Sequence, residues 1–228
     1  MGDLSKNVTG ISLLYIVSIS IALLCFVTFG HNKFAESPNY KRNITFMLFG
    51  YWLITLILQM CLNMFIKFNT CNKNLVYYKD VFIMTIIPWF IILGTFMILL
   101  LFMPGLLRVF SNTIGMSLMY NFYKSKIVIN LTDNVNSEIN QKIYQMISKD
   151  PSIIINEIEY INDASYEQIY KSYQVQFPYL FKETPESKIN IKKLIISKNM
   201  IGYAIWIALI SSITSINSIN NILNLQCN

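Results

Sequence analysis

Long apolar runs separated by short polar segments dominate this chain of 228 residues. Residues 11–29, 44–66, 81–103 and 199–219 contain no acidic, basic or histidine side chain. A helix needs about 20 predominantly apolar residues to cross the hydrocarbon core of a bilayer, so each run predicts a transmembrane helix. The first run lacks the charged leader and small-residue cleavage site of a signal peptide, and we interpret it as a membrane helix.

Segment 104–198 is the only part of the chain large enough to form a folded body outside the membrane. Its start, Pro104-Gly105, is typical of a helix end. The interrupted apolar residues 106–123 then predict an interfacial helix or elbow. The shorter elements predicted within the segment are strands at 125–131 and 152–160 and helices at 137–149 and 165–173.

The sequence therefore predicts a mainly α membrane protein: four transmembrane helices with a small α+β extramembrane domain inserted between helices 3 and 4. The predicted domains are 1–103, with three transmembrane helices and short loops, 104–198, with the elbow and the α+β domain, and 199–228, with the fourth helix and a short tail.

Charge is scarce and unevenly placed. Only 13% of the residues are charged, the mean hydropathy is +0.45 and the net charge is +6. Lys and Arg are more numerous in 30–43 and 104–198 than in the N-terminus and 67–80. Because positive residues mark cytoplasmic loops, we expect both termini on the outer side and 104–198 on the cytoplasmic side. The positive charge thus reflects topology, and two arginines make a poor footprint for nucleic acid, which we do not expect as a partner.

Catalytic chemistry is not indicated. His31 is the only histidine, and a single histidine cannot build the ligand sets of zinc sites. We find no nucleotide-binding, serine-hydrolase or metalloprotease motif, and therefore expect no enzyme activity, cofactor or small-molecule substrate. The spans also lack the ionisable residues that mark ion and proton paths, which argues against a pump or coupled transporter.

The cysteines fall into two groups. Cys25 and Cys61 lie inside predicted spans, where they act as small apolar residues. Cys71 and Cys227 fall on the same, non-cytoplasmic face of the predicted topology, where a disulfide is permitted. A bridge between these two residues and a pair of free thiols are both open.

The last span carries small hydroxyl residues, Ser211, Ser215 and Ser218, with Asn217 beside them. Such residues let helices approach closely and form hydrogen bonds, so we predict that this face packs against the other spans. A pore lining and an outward-facing helix are the alternatives.

Charge is unevenly distributed along segment 104–198, because most charged residues in 133–167 are acidic and both flanks are basic. A solvated face with basic residues near lipid headgroups is one interpretation, and an acidic patch for a basic partner is the other. Just before the last span the chain has a dense lysine cluster that offers candidate partner contacts: Lys182, Lys188, Lys192 and Lys193.

The run P-G-L-L-R-V-F-S-N-T-I-G resembles a Pro-Gly-Trp…Phe-Ser-Asn-Thr-Phe/Ile-Gly signature. That signature belongs to a membrane-protein family of large nucleocytoplasmic DNA viruses, of the phycodnavirus and mimivirus kind. Leu106 stands where the family usually has Trp. In such an elbow Ser111 or Asn112 would cap the next helix and Arg108 would meet lipid headgroups. The matching positions, which we call the elbow signature, are Pro104, Gly105, Phe110, Ser111, Asn112, Thr113 and Gly115.

The stretch 198–227 resembles the last span of the same family. We call its matching positions the last-span signature: Gly202, Trp206, Asn217 and Cys227. The resemblance implies a minor capsid protein of the virion's internal membrane, derived from host ER membrane during assembly. Segment 104–198 would contact major or minor capsid proteins. The alternative is a non-catalytic accessory subunit of a protist organellar membrane complex, such as a respiratory assembly, although the N-terminus lacks the character of a transit peptide.

Overall fold

The computed structural model describes residues 10–12, 14–16, 18–19, 40–71, 78–128, 142, 145–146, 149–150, 152–158, 163–176 and 185–225. The described residues between 10 and 19 are helical. Two π-helical turns, Trp89–Gly94 and Ser111–Gly115, join α2 to α3 and α4 to α5. The helices from residue 40 onward are α1 (Tyr40–Thr70), α2 (Tyr78–Pro88), α3 (Thr95–Phe102), α4 (Pro104–Phe110), α5 (Met116–Val128), α6 (Ser152–Ile155), α7 (Asp163–Gln176) and α8 (Pro185–Asn224).

The predicted α+β domain is wrong, because the described residues contain helices and no strand. Residues 125–128 of the first predicted strand form the end of α5, and the second predicted strand begins with α6. Runs of β-branched residues favour a strand only where a neighbouring strand packs beside them. Here Asp150 accepts hydrogen bonds from the backbone N and the Oγ of Ser152, which caps a helical turn instead.

The other elements predicted in this segment are partly described. Residues 165–173 lie within α7, as a helix. In the predicted helix 137–149, residues 142, 145, 146 and 149 are helical and the others lie outside the described residues.

Three helical stretches in the described part of the chain are long and apolar enough to cross a membrane: Arg42–Thr70, Tyr78–Phe102 and Lys188–Asn224. They contain the second and fourth predicted spans and all of the third, 81–103, except Met103. Most of the first predicted span, 11–29, lies outside the described residues.

The chain divides into two compact units. We call Met1–Leu23, Ile44–Leu106 and Ala204–Asn228 the bundle unit, and Leu24–Asn43 and Leu107–Tyr203 the insert unit. Helix α8 contributes residues to both units, so the predicted domain boundary between 198 and 199 falls inside a continuous helix. That helix begins at Pro185, a residue well suited to the first position of a helix.

Side-chain contacts give the helix directions in the bundle unit. Residues of α1 contact α8 and the residue after it in the same order along both: Tyr51 with Ser211, Asn63 with Ser218 and Lys67 with Leu225. The order is reversed between α1 and the stretch 78–102: Asn63 contacts Thr85, and Trp52 contacts Trp89. Helix α1 is therefore parallel to the α8 residues of the bundle unit and antiparallel to the stretch 78–102.

The bundle unit has apolar side chains on its outside and polar side chains within. Phe46, Phe65 and Ile91 are 62–68% exposed, whereas Gln59 and Asn63 are fully buried. This distribution suits a bilayer, where lipid surrounds the helices and polar groups must find partners inside the protein. The apolar window of α8 is 67% buried, against 28% and 33% for the other two candidate spans, so α8 is the most enclosed of the three.

Candidate functional site

The elbow signature and the last-span signature pack against each other in the insert unit. A Cβ added to Gly202 would lie 3.0 Å from both Cβ and N of Ser111 and 3.1 Å from Cδ1 of Leu107. A Cβ added to Gly115 would lie 2.5 Å from the carbonyl oxygen of Lys198. Both positions therefore need the small volume of glycine for backbones to come this close. Since the later residue of one segment meets the earlier residue of the other, the two segments run antiparallel.

A buried lysine joins three segments of the insert unit at this contact. Lys198 is 2% exposed, and its Nζ donates hydrogen bonds to Oδ1 of Asn112 at 2.6 Å and to Oδ1 of Asn156 at 2.8 Å. Nδ2 of Asn156 also donates to the backbone oxygen of Asn112 at 3.3 Å. Burying an ammonium group is costly unless polar partners replace its hydration, and the two amide oxygens do so. We call Lys198, Asn112 and Asn156 the lysine clamp.

The sequence pattern does not indicate this clamp. Lys198 directly precedes the predicted span 199–219, and Asn156 lies within the predicted strand 152–160. Nor do Ser111 and Asn112 cap a new helix, because the chain is helical without interruption from Pro104 to Val128. Asn112 instead uses its side chain to hold Lys198.

Within the bundle unit Trp206 of the last-span signature contacts Leu106, the residue that follows Gly105 of the elbow signature. Its Nε1 donates to the backbone oxygen of Leu106 at 2.7 Å, and its ring lies 5.1 Å from that of Phe96, between centroids. The acceptor is a backbone oxygen, so this hydrogen bond does not depend on which side chain stands at position 106.

A chain of buried hydrogen bonds connects the helices of the bundle unit. Oε1 of Gln59 accepts from Ser215 Oγ at 2.7 Å and from the hydroxyl of Tyr15, and Nε2 of Gln59 donates to Oδ1 of Asn63 at 3.0 Å. Ser215 also contacts Ser12 at 2.8 Å. Because the single hydroxyl proton of Ser215 goes to Gln59, Ser12 is the donor in that pair.

The chain continues from Asn63, whose Nδ2 donates to Thr85 Oγ1 and to Ser218 Oγ, both at 2.8 Å. Nearer the start of α1, the hydroxyl of Tyr51 lies 2.9 Å from Ser211 Oγ. Ser211 donates to the backbone carbonyl four residues before it, so Tyr51 is the donor to Ser211. We call these side chains together the polar network: Ser12, Tyr15, Tyr51, Gln59, Asn63, Thr85, Ser211, Ser215 and Ser218.

The polar network includes the three serines of the last span for which helix packing is predicted, Ser211, Ser215 and Ser218, but not Asn217. Ser211 and Ser215 are fully buried against other helices, whereas Asn217 is exposed. The partners on α1 were missed, although the sequence contains a signal for them. Polar or amphipathic residues recur at every fourth position of this otherwise apolar helix, on one face: Tyr51, Thr55, Gln59, Asn63 and Lys67.

The C-terminal ends of α1 and α8 meet at one end of the bundle unit. Nζ of Lys67, which is 3% exposed, donates to the backbone oxygen of Leu225, where a cation favourably meets the negative end of a helix. Cys71 follows and is disulfide-bonded, while Cys61 is a free thiol. The cysteine bonded to Cys71 lies outside the described residues, as does Cys227. Beside them is an apolar cluster of Ile66, Val81, Ile219 and Ile222.

The lysine cluster before the last span lies on α8 as far as it is described. Lys188 forms an ion pair with Glu167 of α7 and lies 5.8 Å from the ring centroid of Tyr170. Lys192 and Lys193 are partly exposed, and Lys182 lies outside the described residues. Lys188 thus helps to attach α7 to α8, together with Tyr166, whose hydroxyl donates to the backbone oxygen of Lys188 at 2.7 Å.

The remaining elbow residues are mostly at the surface. Pro104, Gly105, Arg108 and Thr113 are exposed and Phe110 is partly exposed.

An open cleft of about 270 Å³ lies beside the elbow in the insert unit. Its walls include Asn112, Tyr120, Lys149 and Asp150. Partial burial, and next the carboxylate of Asp150, raise the pKa of Tyr120. The described residues hold no group of His, Cys, Asp and Glu side chains that could bind a metal ion.

Comparison of the chain with protein-family models, with characterised proteins and with solved structures finds no match.

Proposed function

We propose that this protein is a structural virion protein of a large DNA virus. In this proposal it is a minor capsid component embedded in the internal membrane, and it links that membrane to capsid proteins through segment 104–198. The observation that carries the proposal is the direct packing of the elbow signature on the last-span signature. Segments that resemble one family at two distant places in the sequence meet at Gly115 and Lys198 and at Ser111 and Gly202.

A second observation concerns how force would pass through such a linker. Helix α8 has 40 residues, and at about 1.5 Å per residue it is about 60 Å long, against about 30 Å for the hydrocarbon core. One uninterrupted helix therefore belongs both to the bundle of candidate spans and to the insert unit. A helix resists extension through its hydrogen bonds, which suits a connection between a membrane and a shell.

The surface offered to a capsid partner is then that of the insert unit. Lys149 and Lys171 are exposed there; Lys149 is a helical residue shortly before α6, and Lys171 lies on α7. Lys188 is less suitable as a contact because it is engaged with Glu167. We therefore propose Lys149 and Lys171, beside the partly exposed Lys192 and Lys193, as reporters of the partner.

The proposal is tested by lysine crosslinking and mass spectrometry on intact native particles or membranes. Lys79 is the matched control, because it is exposed and lies at the start of α2, one membrane crossing before the chain enters segment 104–198. We expect Lys149 and Lys171 to crosslink to capsid proteins and Lys79 not to do so.

Two results would overturn the proposal. Crosslinks from Lys149 and Lys171 only to respiratory or transport subunits would favour the organellar alternative. Capsid crosslinks from Lys79 but not from the insert unit would show that the wrong part of the chain has been assigned to the partner.

A further inference from the structure

The last turns of α8 carry an exposed row of asparagine side chains in the bundle unit. Asn217, Asn220 and Asn224 are exposed, and so is Ile213, at 55%. None of these three amides has a hydrogen-bond partner in the part of the chain that the structure describes. We call Ile213, Asn217, Asn220 and Asn224 the asparagine seam.

The asparagine seam faces away from the polar network. The residues of α8 that belong to that network, Ser211, Ser215 and Ser218, are fully buried. Each of the first three seam residues stands two positions after one of these serines. Two residues turn an α-helix by about 200°, so the seam lies on the opposite side of α8, on the outside of the bundle unit.

The other candidate spans keep their amide side chains inside. In α1, Gln59 and Asn63 are fully buried and form hydrogen bonds to α8. The stretches 46–65 and 82–102, which the structure describes in full, expose no amide side chain. Exposed amides on the outer surface of a candidate span are therefore a feature of α8, and they need a separate explanation.

Asn217 lies well inside the candidate span. The next residue, Ser218, accepts a hydrogen bond from Asn63. Leu225, where Lys67 contacts the end of α8, is eight positions farther along, or about 12 Å. An amide that faces lipid at such a depth finds no hydrogen-bond partner there, which is costly. A partner in the membrane that both donates and accepts hydrogen bonds therefore fits this position.

The spacing of the asparagine seam identifies a second copy of α8 as that partner. Its residues follow each other at intervals of four, three and four, which is the spacing of the contact positions in a left-handed pair of helices. An amide both donates and accepts hydrogen bonds, so across a two-fold axis each asparagine complements the same residue of the other copy. Asparagine at a contact position also fixes the register of two paired helices.

We propose that two copies of this protein associate in the membrane through their asparagine seams. The two α8 helices run parallel, Asn217 and Asn220 form hydrogen bonds with the same residues of the other copy, and Ile213 adds an apolar contact beside them. The seam makes no hydrogen bond within one copy, so it remains available for this association. This inference does not depend on the capsid partner.

The test compares two positions that have the same exposure and depth. Ile213 in the seam is 55% exposed, and Ile57 on α1 is 54% exposed. Each stands two positions before a residue of the Gln59–Ser215 hydrogen bond, and the two helices run parallel here. Ile213→Cys and Ile57→Cys are introduced separately into the full-length Cys61→Ser protein, which is reconstituted into phosphatidylcholine vesicles and oxidised with copper phenanthroline. The Cys61→Ser parent gives the background from the other native cysteines.

We expect a disulfide-linked dimer on a non-reducing gel for Ile213→Cys and only background for Ile57→Cys. Equal dimer yields at the two positions would indicate random collision and would overturn the proposal. Background yield at both positions would mean that lipid covers the seam, which would also overturn it. If a benzophenone attached at Ile213→Cys in native membranes captured only a different protein, the seam would belong to another partner and the second copy would be excluded.

The role of the amides is tested by dilution with lipid. The crosslinking yield of Ile213→Cys is followed over increasing lipid-to-protein ratios, with and without the pair Asn217→Leu and Asn220→Leu. We expect the pair to weaken association about tenfold or more, whereas Asn69→Leu, which removes an exposed amide of α1, should leave it unchanged. The melting temperature in excess detergent should stay the same, which separates lost association from misfolding. Unchanged association in the double variant would refute pairing through the amides.

Discussion

Replacing Gly115 with alanine should destabilise the protein, because the close approach of the elbow to α8 depends on this residue. The added Cβ would lie 2.5 Å from the carbonyl oxygen of Lys198 and 3.2 Å from its carbonyl carbon. These are backbone atoms of a helix and cannot rotate away, so one helix must shift relative to the other. Such a shift would also strain the lysine clamp, which holds the same lysine.

Two opposing effects set the magnitude. Alanine is favoured over glycine within a helix by about 1 kcal/mol, whereas overpacking costs about 1–3 kcal/mol. Because the clash is with backbone, we expect a cost near the upper end of that range and a net destabilisation of about 1–2 kcal/mol. For a chain of this length, that change lowers the melting temperature by about 2–8 °C.

Two other glycines complete the series. Gly202→Ala should be milder, because its added Cβ would meet side-chain and backbone atoms at 3.0–3.1 Å. Gly105→Ala is the control, since nothing lies within 4 Å of its added Cβ, and its stability should be unchanged or slightly higher.

The assay is thermal unfolding of the detergent-solubilised protein, followed by circular dichroism at a helix wavelength. Hydrogen exchange of the part of α8 before Tyr203 would locate the effect in the insert unit. If Gly115→Ala melted at or above the temperature of both the wild type and Gly105→Ala, the close helix contact would be refuted.

Three further predictions concern the polar network, the disulfide and the insert unit. Asn63→Leu removes hydrogen bonds to Gln59, Thr85 and Ser218, and at about 0.6–2 kcal/mol per contact it should lower the free energy of unfolding in a melting assay. The exposed Asn217→Leu is the control and should change that free energy by less than about 0.5 kcal/mol. Equal effects of the two substitutions would contradict the polar network. Cys71 is disulfide-bonded, and Cys227 is its candidate partner. If these two residues are bridged, Cys71→Ser and Cys227→Ser should each abolish the gel shift between reducing and non-reducing conditions, and Cys61→Ser should retain it. A shift that survives Cys227→Ser would exclude this pairing. Burial, and then the nearby Tyr170 and Glu167, raise the pKa of Tyr166. The neutral Tyr166 hydroxyl therefore stabilises the fold fully below the ordinary tyrosine pKa of about 10. That stabilisation is lost as pH rises towards and through the pKa of Tyr166 in the folded protein. Melting temperatures should therefore fall above about pH 10 and fall less steeply in Tyr166→Phe, and identical slopes would contradict this role.

The membrane helices were readable from the sequence because length and hydropathy decide them locally. The runs 44–66 and 199–219, and 81–103 apart from Met103, each lie within a helical stretch that is long and apolar enough to span a membrane. The sequence did not predict that α8 begins as early as Pro185. Lysines at 188, 192 and 193 argue against a membrane span there, but they do not interrupt a helix, so α8 extends well before the apolar run 199–219.

The elbow shows why a break signal has two meanings. Pro104-Gly105 ends the helix before it, where Met103 has a non-helical backbone with φ −113° and ψ 88°. The same proline then opens α4, since proline fits the first helical turn. The same two residues can therefore end one helix and begin the next, and the pattern alone does not show that a helix continues from Pro104 to Val128.

The strands and the clamp failed for a different reason, since both depend on tertiary partners. The run Ile153-Ile154-Ile155 is by itself compatible with a strand. The described residues contain no second strand that could pair with it. Lys198 and Asn112 are separated by 86 positions, and nothing local to either indicates that one would bury the other. The stripe of α1, in contrast, has a regular spacing of four and was available from the sequence alone.

In the proposed function this protein binds both a membrane and a capsid, and detergent extraction of purified particles tests that proposal most directly. The particles are treated with a mild detergent until the lipid is removed, and capsid shells are separated from micelles by sedimentation. We predict that the protein sediments with the shells after the lipid has gone. Recovery of the intact protein in the micelles, or its absence from the particles, would contradict the account.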